Sequence, residues 1–345
     1  MKLSMGLSYS GGFAQAVDQV VEREKAGLDM VWVAEAYGND APTLMGYLAA
    51  KTERVEIASG ILPIYTRTPT LLAMTAAGLD ELSGGRAVLG LGASGPQVIE
   101  GFHGVAYDKP LQRTREIIEI CRQVWRRERV VHDGKAYQLP LPEGQGTGLG
   151  KALKIITHPK RDDIPIYVAS LGPKNVQMTA EVADGWLPIF YNPHKANDVW
   201  GDDLAAGFAK RSPELGTLQV VAGGAIGFGD EEAARKVRDA ARPQTALYVG
   251  GMGARDKNFY NDLFCRYGYE AEAKEIQDLY LSGQKDDAAA AIPDEFLLAS
   301  SLFGDEGFVK EQVQAYKAAG VTALSINPVG PNPLEIIEKV KAWAE

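Results

Sequence analysis

The 345-residue chain is poor in cysteine and histidine, with two and four respectively. Cys121 and Cys265 are too few for a disulfide framework or a thiolate metal site. His103, His132, His158 and His194 lie far apart, and none shows the H-x-x-x-H spacing that sets two rings on one helix face, so no metal is expected. No stretch reaches the roughly 18 apolar residues of a membrane span. The start, Met1-Lys2-Leu3-Ser4-Met5-Gly6, carries no apolar leader. Basic residues are in the minority, 36 against 45 acidic, for a net charge of −9. That balance excludes a general attraction to nucleic acid or anionic membrane. No G-x-S-x-G elbow or Cys/His pairing supports acyl transfer. No solenoid repeat or low-complexity tract occurs. What remains is a cytoplasmic globular protein.

Hydrophobic residues at 46% and charged residues at 23% are enough for a large core. Short apolar runs alternate with amphipathic segments along the chain. The runs predict strands over 3–8, 30–34, 55–60, 87–92, 166–169, 185–188, 220–227 and 323–327. Helical spacing falls at 13–26, 41–52, 69–82, 111–127, 173–183, 196–209, 231–241, 308–319 and 333–343. Eight strands alternating with helices, several apolar without interruption as in Ile166-Tyr167-Val168, favour a (β/α)8 TIM barrel of the α/β class over a doubly wound sheet. The expectation is one domain, 1–345, with insertions at about 130–163 and 243–300. The first is Gly- and Pro-rich, and the second is irregular or helical.

Several motifs fall at the ends of these strands, where barrel enzymes keep their chemistry. Gly90-Leu91-Gly92-Ala93-Ser94-Gly95 fits G-x-G-x-x-G, but Pro96 and Gly101-Phe102-His103-Gly104 follow without an immediate helix to receive a pyrophosphate. The glycines read as a strand end that lets backbone approach a ligand, or as a plain turn. Ser170-Leu171-Gly172-Pro173 leaves backbone N–H groups at a helix N-terminus, an arrangement that takes anions and also serves as an ordinary turn. Glu35, Tyr37 and Asp40, after the second strand, can supply acid–base and hydrogen-bonding groups. Asp40, two residues before Pro42, can equally be a helix cap. His103 reads as an exposed loop residue.

The segments Val31-Trp32-Val33-Ala34-Glu35, Ala58-Ser59-Gly60-Ile61-Leu62-Pro63, Arg67-Thr68-Pro69 and Glu81-Leu82-Ser83-Gly84-Gly85-Arg86 resemble the bacterial luciferase-like monooxygenase superfamily. Ala183-Asp184-Gly185-Trp186 and Asn327-Pro328-Val329-Gly330 extend the match over nearly the whole chain outside the insertions. The pattern is most similar to the branch using the deazaflavin coenzyme F420, which includes methylenetetrahydromethanopterin reductase and F420-dependent glucose-6-phosphate dehydrogenase. Gly250-Gly251-Met252-Gly253 and Lys257-Asn258-Phe259-Tyr260-Asn261 resemble a mycobacterial-type subgroup.

The resemblance implies a barrel with the cofactor ring across its C-terminal mouth and a homodimer. It implies a bulge at Gly60-Ile61, with a non-prolyl cis peptide, backing the ring. It places ring and phosphate contacts on Ala93, Ser94, Ser170, Leu171 and Gly172. The sugar-phosphate dehydrogenase has an Asp-His pair where this chain has Glu35-Ala36, and a catalytic Glu near Gly95, so its mechanism is not expected here. Candidate proton donors are Glu35, Tyr37, Asp40 or bound water. Glu35 has two possible roles: an acid beside the ring, or a partner of a nearby arginine such as Arg67. The reading is a hydride-transferring oxidoreductase with F420. Its rivals are an FMN-dependent monooxygenase on the same scaffold and a non-catalytic F420- or flavin-binding protein.

Overall fold

The computed structural model describes residues 1–7 and 11–344. Among them, eight parallel strands close into a ring: β1 (Lys2–Leu7), β2 (Met30–Val33), β3 (Glu56–Ser59), β4 (Ala87–Gly92), β5 (Ile166–Ala169), β6 (Gly185–Leu187), β7 (Gln219–Phe228) and β8 (Ala323–Pro328). Pairing of β6 with β7 and of β8 with β1 completes the circle. This is the expected (β/α)8 barrel, with helices packed around it. Position 8, the last of the predicted first strand, lies outside the described residues.

The strand registers sort the side chains into layers inside the barrel, because alternate residues face inward. At the bottom Lys2 and Glu56 form an ion pair across the floor, 2.6 Å long. Above it Met30, Trp32, Ala58, Val88, Tyr167, Val221 and Ala323 make a packed apolar plug, with the Trp32 and Tyr167 rings 5.6 Å apart. The next inward positions are Gly6, Gly60, Gly223 and Ser325. With so little side chain there, the lumen stays open at its C-terminal end. A Cβ on Gly6 would meet nothing within 4 Å.

Two loops at the N-terminal end and under the first insertion are held by buried carboxylates. Glu24 accepts the N–H groups of Glu53, Arg54 and Val55. Glu116 accepts those of Lys135, Ala136 and Tyr137 and so ties the hairpin His132–Asp133/Gln138–Leu139 to the helix Pro110–Trp125. Burial alone would push each carboxyl pKa up. Hydrogen bonds, including those from the backbone, outweigh it and hold both below the ordinary value.

The second insertion differs from its sequence reading in detail. The helix Glu231–Ala246 runs through Pro243 and passes into a π-helical turn, Leu247–Gly251. Four further helices follow, then a short strand, Leu302–Gly304, which pairs with the end of β7. Periodicity could not reveal a three-residue strand. No helix among the described residues is long and apolar enough to cross a membrane.

Candidate active site

The mouth is built from the loops that follow the strands, and a bulge between β3 and β4 shapes its centre. Ala58 pairs with Val88, and Leu62 with Leu91, so four steps on one strand oppose three on the other. Ser59 bridges the gap with its side chain: its Oγ donates to Gly90 O and accepts from Gly90 N, both at 2.8 Å. Gly90 has no room for a Cβ, which would fall 1.8 Å from Ser59 O. The bulged pair is Gly60-Ile61, joined by a cis peptide as the resemblance implies. A Cβ on Gly92 would fall 2.8 Å from Ile61 Cγ1 and 3.5 Å from Ala169 Cβ. Gly60, Ile61 and the ends of β4 and β5 therefore meet at one place, directly above Trp32.

Glu35 is tied down. Arg67 donates to both its oxygens, at 2.6 and 2.9 Å, and Ala41 N adds a third bond at 2.8 Å. Both side chains are largely buried, 8% and 14% exposed. Of its two sequence-level arrangements Glu35 adopts the paired one, which clamps the β2 loop to the β3 loop. Asp40 accepts from Thr43 N and Oγ1, capping the helix Ala41–Lys51. Tyr37 projects into solvent at the rim, 68% exposed, with its ring 6.2 Å from that of Phe102.

After β4, Ala93 packs on the core and Ser94 adopts φ 57°. The Tyr107 hydroxyl donates to Ser94 O at 3.3 Å. A one-turn helix, Pro96–Ile99, does follow the glycine run directly, which corrects the expectation that no helix follows. His103 sits edge-on to Phe102, with Nε2 shielded and without a hydrogen bond.

The turn after β5 presents donors and hides acceptors. Ser170 is buried, with its hydroxyl on Thr179 Oγ1 at 2.9 Å and its carbonyl accepting from Trp186 Nε1. The Leu171 carbonyl accepts from Trp200 Nε1 and Arg266. The Gly172 carbonyl accepts from Asn175 N and Val176 N. Among the described residues, the N–H groups of Leu171, Gly172 and Lys174 meet no acceptor. A Cβ on Gly172 would meet nothing within 4 Å. This open, donor-rich helix start suits an anionic group such as a phosphate. Ser170 can serve it only through its backbone, because its side chain faces the core.

The second insertion closes one side of the mouth with aromatic rings. Phe190, after β6, meets Tyr248 and Tyr260 edge-on at 5.8 and 6.4 Å. Burial, with smaller contributions from Tyr248 and Tyr107, pushes the Tyr260 hydroxyl up to about 12, so it remains a neutral donor. Sequence reasoning missed Tyr107, Phe190, Tyr248 and Tyr260, because only the fold brings these distant rings together. Gly6 was readable as a glycine inside a strand, a sign of close approach.

Comparison with known proteins fits this architecture. The family model for luciferase-like monooxygenases matches residues 1–323. The chain is 45% identical over 333 residues, 94% of both chains, to a Mycobacterium tuberculosis protein named as a coenzyme F420-dependent oxidoreductase. It is 29% identical over 324 residues to 5,10-methylenetetrahydromethanopterin reductase of Archaeoglobus fulgidus, covering 92% of this chain and 90% of the other. Among solved structures, the F420-dependent tetrahydromethanopterin reductase of Methanopyrus kandleri shares the fold, with a TM-score of 0.79 at 23% identity over 99% of this chain and 97% of the other. The bulged barrel and these matches together place the chain in the luciferase-like monooxygenase family.

Proposed function

We propose that the protein is an F420-dependent oxidoreductase that transfers a hydride between the deazaflavin and a small organic substrate. The observation that carries this reading is the 45% identity, over nearly the full length, to a protein named for that activity. When bound, the deazaflavin supplies two-electron hydride chemistry with little reactivity toward oxygen, because carbon replaces the flavin N5.

The residues present fit such a group. Gly60 and Ile61 offer a wall for a flat ring above the Trp32 plug. Ala93 and Ser94 flank it. The donors of the Ser170-Leu171-Gly172 turn face a phosphate. In this arrangement Glu35 positions the rim through Arg67, Asp40 caps its helix, and Tyr37 is the proton donor with water access. The chain works as one catalytic unit, with the insertion at 243–300 forming the substrate side of the mouth. Two unpaired cysteines are consistent with a reducing, cytoplasmic setting.

We further infer a homodimer. Leu71, Met74, Leu149, Leu153 and Ile156 are exposed on the helix Pro69–Leu82 and the first insertion, beside an apolar groove of about 300 Å³. Such a surface suits a second copy. Sedimentation equilibrium is expected to give twice the chain mass. A monomer at micromolar concentration would remove this inference.

The phosphate placement is tested by Gly172→Asp. The backbone there has an ordinary φ of −73° and open space around it, so the variant should fold as the parent does. The new carboxylate would stand among the donors and repel an anion. F420 affinity is expected to fall at least tenfold, about 1.4 kcal/mol. Unchanged affinity would put the phosphate elsewhere.

A further inference from the structure

The rim between the β2 and β4 loops has a chemical character of its own. Tyr37 and Phe102 stand 68% and 66% exposed with their rings in contact, and Val105 is also exposed. Isolated exposed apolar residues are unremarkable, but rings gathered at the entrance of a lumen mark a ligand surface. The two rings come from loops on either side of the Gly60-Ile61 bulge. Both loops follow strands whose ends form the mouth, and Tyr107 on the β4 loop lies near Tyr260.

The guanidinium groups nearest this surface, those of Arg67 and Arg113, are committed to carboxylates. His103 lies edge-on to Phe102 with its Nε2 unbonded. Glu35 holds Arg67, and Asp40 holds Thr43. Glu100 accepts from Tyr107 N, Asp108 is paired with Arg113, and Lys109 donates to Lys135 O. A carboxylate or phosphate on a substrate would lose hydration against the two rings, where the nearby guanidinium groups of Arg67 and Arg113 are already held by carboxylates, a costly exchange. An uncharged apolar group would lose nothing polar and would cover the two rings.

We propose that the substrate is an uncharged, apolar compound, and that Tyr37 and Phe102 are the residues that select it. This rests on the oxidoreductase reading for the identity of the site, but not for the binding chemistry. Polar recognition then falls to neutral donors such as the Tyr260 hydroxyl, and the rim supplies affinity through ring–ring contact.

The test uses two probes of one shape, neutral 4-phenylbut-3-en-2-one and anionic trans-cinnamate. Binding of each to the full-length protein is measured by titration calorimetry, with and without F420, and F420 and FMN are titrated on the same samples. The neutral probe is expected to bind at least tenfold more tightly than cinnamate. Phe102→Ala should weaken the neutral probe about tenfold, while Phe208→Ala, an exposed phenylalanine on an outer helix, should leave it unchanged. Phe102→Lys should shift the preference toward cinnamate by at least tenfold. Equal or tighter binding of cinnamate by the parent protein, or indifference to Phe102→Ala, would overturn the proposal. A preference for FMN with the rim behaviour intact would instead undo the cofactor reading alone.

Discussion

Gly90→Ala is expected to destabilise the protein strongly. The new Cβ would lie 1.8 Å from the Ser59 carbonyl oxygen and 2.9 Å from its carbon. Both are backbone atoms in a buried sheet and cannot rotate away. The bulge would have to open, and with it the side-chain bridge from Ser59 to both polar groups of Gly90. A loss of about 4 kcal/mol or more is expected, seen as a fall of roughly 5–6 °C or more in Tm. Ser59→Ala removes the bridge without a clash and leaves a buried N–H and C=O without that partner, for about 2–3 kcal/mol. F420 affinity should fall in both variants, because the same bulge presents Ile61 to the lumen. A Gly90→Ala protein melting within about 2 °C of the parent would mean that this bulge geometry is wrong.

Arg67→Ala is the second large effect. Among the described residues, it leaves the buried Glu35 carboxylate with Ala41 N as its remaining hydrogen-bond donor. Breaking such a pair from one side costs about 3–5 kcal/mol, much of it the penalty for the orphaned charge. Glu35→Gln keeps the shape but turns an amide NH2 toward a guanidinium, and should be costly in the same direction. Because the two residues act as a unit, the double variant Glu35→Gln/Arg67→Ala should lose less than the sum of the singles. Thermal stability, F420 affinity and turnover should fall together in each single variant. The acid role gives another pattern: Glu35→Gln with normal stability and normal F420 binding, but turnover down by roughly 10²–10⁴-fold. That pattern would return Glu35 to the chemistry and displace Tyr37.

The barrel was legible because its information is local and repeated. Each strand is a short apolar run, and each of the helices after β2, β3 and β5 announces itself with a proline in the first turn: Pro42, Pro69 and Pro173. The glycines of β4 were visible, but their reason was not. Gly90 is a glycine because of a serine thirty-one positions earlier, a relation that no local pattern encodes. Glu35 shows the same limit. Its place after β2 was readable, but its partner across thirty-two residues could only be offered as one of two arrangements. Ser170 was placed correctly in the turn, yet its hydroxyl faces Thr179 rather than the opening, because an extended residue's side can be read only with its neighbours in place. The second insertion lacked a single dominant period, so its five-residue π-turn and its strand on β7 were hidden.

We infer that this mouth holds a deazaflavin in preference to a flavin. Trp32 lies directly beneath Gly60, where a Cβ would fall 3.1 Å from the Trp32 Cβ, so it reports on anything that settles on the bulge. Titrating the protein with F420 and with FMN, and following tryptophan fluorescence, measures the claim directly, with Trp32→Phe to identify the reporter among the five tryptophans. F420 is expected to quench saturably, with the quenching lost in the Trp32→Phe protein, at concentrations at least tenfold lower than FMN requires. Tighter binding of FMN, or F420 quenching that survives without Trp32, would contradict this inference.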